Sequence, residues 1–83
     1  MKSLDELREQ IDNIDGQIMR LLCERFSVVQ SIAEYKKAHG LEVLQKSREA
    51  EVLGRITGEY AEYIREIYAA VLKTSRDLQE ITR

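Results

Sequence analysis

Apolar residues recur along the first half of the chain at Leu4, Leu7, Ile11, Ile14, Ile18, Leu21, Val28, Ile32 and Tyr35. The steps alternate between three and four, apart from a gap between Leu21 and Val28. Such a stripe is a heptad seam, the edge that one α-helix presents to another. Ser3-Leu4-Asp5-Glu6 stands at its start with a serine and a glutamate three apart, the spacing of a capping box. Gly40, just after His39, is a helix stop signal at its end. The pattern predicts a first helix over Leu4–Ala38, about 50 Å long at 1.5 Å per residue. A helix of that length has to lie against other helices along its whole course.

Residues 39–46 read as a connection. A second, shorter helix is expected over Ser47–Ile56, with Val52, Leu53 and Ile56 apolar and Gly54 as a weakening residue. Thr57-Gly58 is a break. A third helix is expected over Glu59–Ile81, with Ile64, Ile67, Val71, Leu78 and Ile81 on one stripe and Tyr68 and Leu72 beside it. The fold class is therefore all-α, with a long, a short and a medium helix. No repeat or low-complexity linker divides the chain, so residues 1–83 read as one domain.

Composition sharpens this picture. The chain lacks proline, and 34% of its 83 residues are charged against 6% aromatic, a balance suited to amphipathic helices. So short a chain buries a small share of its surface alone, which makes oligomerisation the natural source of further burial. A net charge of -2 gives no reason to expect nucleic acid or an anionic membrane as partner. The single cysteine, Cys23, allows neither an internal disulfide nor a zinc pattern, and suits a reduced, cytoplasmic setting. No stretch reads as a signal peptide or a transmembrane span.

The candidate chemistry lies where polar residues interrupt the apolar stripes. Arg25 fills the seam position between Leu21 and Val28, where burial of a cation requires an anionic partner. That partner is either a carboxylate of the protein, setting helix register, or a ligand carboxylate. The neighbouring stripe runs Arg8, Asp15, Leu22, Val29, Lys36, and its charged ends suit ordinary interhelical salt bridges first and a ligand second. On the third helix the stripe Tyr68, Leu72 continues into Ser75 and Gln79, which suit either an exposed helix end or a polar wall. Arg48 and Glu49 precede Val52 and Leu53, and suit either a local ion pair or the same wall. Taken together, Arg25, Lys36 and Arg48 as cations, Glu49 as acceptor, and Ser75 and Gln79 as neutral partners describe a pocket for a small polyanion bearing a hydroxyl.

The ordered set Leu7-Arg8, Ile11, Ile14-Asp15, Leu21-Leu22-Cys23-Glu24-Arg25, Ile32-Ala33-Glu34-Tyr35-Lys36, Arg48-Glu49 and Ser75-Arg76-Asp77-Leu78-Gln79 resembles the all-helical chorismate mutases across essentially the whole chain. The resemblance implies an intertwined homodimer of three-helix protomers with two equivalent sites. It implies an isomerase that rearranges chorismate to prephenate, in the biosynthesis of phenylalanine and tyrosine, with no cofactor and no metal. It further implies that Arg25 binds a substrate carboxylate within its own chain and that Arg8 binds one in the partner's site. Lys36 would contact a carboxylate and the ether oxygen, Gln79 would donate to that oxygen, and Glu49 would accept from the ring hydroxyl. Ser75 and Arg48 would complete the carboxylate wall. Gln45 departs from the pattern, since the family often carries an acidic residue three positions before the Arg-Glu pair. There the backbone N–H remains to meet the hydroxyl. The second connection, at Thr57-Gly58, is also short.

Helix geometry bears on the role of Arg8. Arg8 and Lys36 share a stripe but lie about 42 Å apart on a straight helix, whereas Arg25 and Lys36 are about 16 Å apart. An antiparallel partner helix brings Arg8 of one chain towards Lys36 of the other. Two other functions fit the same residues: an isochorismate-pyruvate lyase, and a non-catalytic helical dimerisation module.

Overall fold

Local signals shape the first helix. Ser3 Oγ accepts a hydrogen bond from the Glu6 N–H at 3.2 Å, and α1 then runs without interruption over Leu4–Ala38 in the computed structural model, which describes residues 1–82. Asp5 and Glu6 in the first turn and Lys36 and Lys37 in the last complement the helix dipole. At the end, Gly40 adopts φ +66°, the left-handed conformation that a residue without a side chain reaches most easily. The Leu41 N–H then reaches Lys36 O at 2.8 Å and the Gly40 N–H reaches Lys37 O at 3.4 Å, the paired bonds of a Schellman stop.

The shorter helices differ from expectation at their edges. α2 spans Lys46–Gly54 rather than 47–56. Arg55 and Ile56 instead close a tight turn, their N–H groups bonding three residues back to Val52 O and Leu53 O. Gly54 is thus the final helical residue, where its cost to the helix is smallest. α3 spans Ala61–Thr82 rather than 59–81, because Gly58 at φ +101° starts a turn that the Ala61 N–H closes onto Gly58 O at 3.2 Å. The described residues contain three helices and no strand. None of these helices is long and apolar enough to cross a membrane.

α3 packs along the C-terminal half of α1, and α2 packs on α3. The centre is small: Val29, Ala33, Val43 and Leu72 are the buried apolar residues. Ala33 is fully covered, so the absence of a larger side chain there is what lets α1 and α3 approach. The buried face of α3 is not the stripe Ile64, Ile67, Val71, Leu78, Ile81. Ile64, Ile67 and Ile81 are exposed, whereas Leu72, Ser75 and Gln79 are buried. Tyr68, Leu72, Ser75 and Gln79 form the inward stripe, because α3 turns its hydrogen-bonding groups towards the polar residues of α1.

The seam of α1 faces outward. Every residue from Met1 to Leu21 is exposed, and Leu4, Leu7, Ile11, Ile14, Ile18 and Leu21 each retain between 45% and 61% of their surface. The protomer is an elongated slab of 56 × 23 × 14 Å, whose long dimension is that of α1.

Replacing Ala33 by Leu forces extra methyl groups into the α1–α3 contact. The substitution lowers stability by about 1–3 kcal/mol. A urea unfolding curve with an unchanged midpoint would contradict that packing.

Candidate active site

The polar residues that interrupted the stripes converge on one cavity of about 210 Å³ between the three helices. α1 contributes Arg25, Val29, Ile32 and Lys36, and the connection to α2 contributes Val43 and Gln45. Arg48, Glu49 and Val52 come from α2, and Leu72, Ser75, Arg76 and Gln79 from α3. Four cationic side chains and one carboxylate are among the described residues that line it. A larger and more open groove of about 620 Å³ lies elsewhere along α1 and α3, lined by Cys23, Phe26, Ser27, Gln30, Thr74, Asp77, Leu78 and Ile81. Among the described residues its sole charged side chain is the acidic Asp77, so electrostatics favour the smaller cavity for an anionic ligand.

Each cation is oriented by a specific acceptor. Arg25 Nη1 donates to Ser75 Oγ at 2.6 Å across α1 and α3. The Ser75 hydroxyl gives its own proton to Val71 O at 2.7 Å, which leaves its lone pairs for the guanidinium. Lys36 Nζ donates to Val43 O at 2.7 Å and to Gln79 Oε1 at 2.9 Å. An ammonium can only donate, so this contact sets the Gln79 amide with its oxygen towards Lys36 and its N–H groups at the other end. Ser75 and Gln79 are 5% and 7% exposed, which removes the alternative of a solvated helix end.

Seven of the eight residues picked out in the sequence line this cavity: Arg25, Lys36, Gln45, Arg48, Glu49, Ser75 and Gln79. Arg8 does not; it is exposed on the bare N-terminal half of α1. Two of the seven are engaged locally. Arg48 is exposed and pairs with Glu51 at 2.7 Å, the local ion pair that the sequence left open for it. Gln45 turns its Nε2 back to Glu42 O at 2.8 Å, so this side chain braces its own loop. Sequence reasoning missed Arg76, whose Nη1 lies 2.5 and 2.7 Å from the two oxygens of Glu49. The available signal was its place beside Ser75 on α3, about 100° round the helix.

The type II chorismate mutase family model matches residues 7–80, which takes in all three helices and every residue of the cavity. The chain belongs to this family. It is 36% identical over 56 residues to the chorismate mutase of Methanocaldococcus jannaschii, covering 68% of this chain and 57% of that protein. It is 41% identical over 56 residues to a bifunctional chorismate mutase/prephenate dehydratase of Aquifex aeolicus, of which it spans 16%. Among solved structures, a conserved hypothetical protein from Pyrococcus furiosus superposes with a TM-score of 0.83 at 39% identity, over 95% of this chain and 97% of that one.

Proposed function

We propose that this chain is a chorismate mutase, acting as one catalytic domain over residues 1–83, that converts chorismate to prephenate for phenylalanine and tyrosine synthesis. The observation that carries the reading is the convergence of Arg25, Lys36, Glu49, Ser75 and Gln79 on one cavity in a chain of this family. The reaction is a unimolecular rearrangement in which one C–O bond breaks as a C–C bond forms. It requires no nucleophile, no relay of protons and no cofactor. What a protein supplies is the folded substrate conformation and stabilisation of developing charge.

The residues fit those two tasks. Arg25, held by Ser75, grips one carboxylate, and Arg48 stands at the mouth as a second cation. Negative charge grows on the ether oxygen as its bond lengthens. Lys36, bonded to the Gln79 oxygen, and the N–H groups at the far side of that amide are the donors that would receive it. Gln79 is neutral at every accessible pH, so its donation requires no acidic conditions. Glu49 accepts from the ring hydroxyl, with the Gln45 backbone N–H nearby in the same wall. The exposed thiol of Cys23 suits a reducing cytoplasm.

The site is completed by a second copy. A surface void lined by Leu21, Glu24, Arg25, Val28, Val29, Ile32 and Arg48 opens on the seam of α1 and shares Arg25, Val29, Ile32 and Arg48 with the cavity. A helix seated on the seam would therefore roof the site. An antiparallel pairing that matches the seam end to end sets Leu4 against Tyr35. Arg8 of the partner then falls near Ser31, between Arg25 and Lys36. The homodimer in this way buries the bare aliphatic seam and delivers the missing cation in trans.

Purified protein incubated with chorismate should form prephenate. Release of pyruvate from isochorismate in its place would favour the lyase, and inertness towards both would favour a dimerisation module. Lys36→Ala and Arg25→Ala should each lower turnover by about a hundredfold to a thousandfold. Near-native turnover in either variant would remove that residue from the machinery. Mixing Arg8→Ala with Arg25→Ala protein under subunit exchange should restore roughly a quarter of wild-type activity, because each heterodimer holds one intact site. Exchange without recovery would show that Arg8 is not supplied in trans.

A further inference from the structure

Arg76 is the cavity residue to which the reading above gives no task. Its guanidinium nitrogen contacts both oxygens of Glu49, joining α3 to α2 across 27 residues of sequence. The two side chains are 31% and 24% exposed, whereas those of the neighbouring Arg48–Glu51–Arg55 cluster are 56% to 62% exposed. The inner pair is thus partly withdrawn from water, where a charge-assisted bond is stronger and more directional. A glutamate on a helix surface has three rotatable side-chain bonds and loses appreciable entropy when fixed. Near Glu49 stand the exposed cations Arg48, on α2, and Arg55, just past its end, both paired with Glu51. Without a partner inside the cavity, the Glu49 carboxylate has competing cations on and just beyond its own helix.

We propose that Arg76 is a positioning residue for the reaction, holding the Glu49 carboxylate towards the cavity so that it meets the substrate's ring hydroxyl. The proposal rests on the reading of Glu49 as the hydroxyl acceptor. The stereochemistry permits it. An ionised carboxylate offers about four lone-pair sites, and one nitrogen touching each oxygen leaves room for a hydroxyl. Arg76 follows Ser75 and precedes Gln79 on α3, so one helix face sets three groups at once. Ser75 orients Arg25, Gln79 meets Lys36, and Arg76 orients Glu49.

The test compares chorismate with an analogue lacking the ring hydroxyl, in wild type, Glu49→Gln, Arg76→Met and the double variant. Acting through Glu49, Arg76→Met should lower kcat/KM for chorismate by about tenfold to a hundredfold. It should change kcat/KM for the analogue by no more than about threefold. In the Glu49→Gln background the Arg76 change should add little, since the two act as a unit. Arg76→Lys keeps the cation and the fold, and should recover part of the preference for the hydroxyl. Equal losses on both substrates would overturn the proposal, leaving Arg76 as a structural staple or a direct carboxylate contact. So would full additivity in the double variant. If Glu49→Gln itself leaves the preference for the hydroxyl intact, it is the reading of Glu49 that fails. If Glu49→Gln abolishes the preference and Arg76→Met does not, the positioning role alone fails.

Discussion

A helix of 35 residues cannot be covered by partners of 9 and 22 residues that both lie towards its C-terminal end. This mismatch in length governs the rest of the structure. Leu4, Leu7, Ile11, Ile14, Ile18 and Leu21 form a continuous aliphatic edge that stays exposed. Full burial of each such side chain is worth about 1.5–3 kcal/mol, a large sum beside the four apolar residues that the protomer buries by itself. The same edge runs into the void that opens on the cavity. A second chain seated on that edge, as proposed, would relieve the exposure and close the site together, through one interface.

Inside the cavity, charge is arranged by neutral acceptors. Arg25 leans on the Ser75 hydroxyl, and Lys36 on the Gln79 amide and the Val43 carbonyl. These contacts orient both side chains through uncharged partners. A carboxylate in any of those places would neutralise the site and compete with a dianionic ligand. Glu49, the one carboxylate among the described residues lining the cavity, is matched to Arg76 and adds an acceptor there. Such preorganised donors are the means by which a rearrangement without acid, base or metal gains rate.

Most of this was legible along the chain because it is local. The Ser3 cap, the unbroken seam and the Gly40 stop are all decided within a few residues, and α1 begins and ends where they place it. Arg25, Lys36, Ser75 and Gln79 stood out because each breaks a periodic apolar stripe. Three features were left open or hidden, since each depends on contacts between distant segments. The inward stripe of α3 is the more polar one, which hydrophobicity alone cannot choose. Arg48 stands close to Glu49 in sequence, yet it turns outward to Glu51 while Glu49 turns inward. Arg76 looks like ordinary surface charge until Glu49 arrives from 27 residues away.

On the proposed reading, a single protomer holds most of a site and needs a second to finish it. Specific activity towards chorismate, measured over a dilution series alongside sedimentation, tests this most directly. The account predicts that activity per chain falls in step with the dimer fraction. Constant specific activity in a solution shown to be monomeric would contradict it.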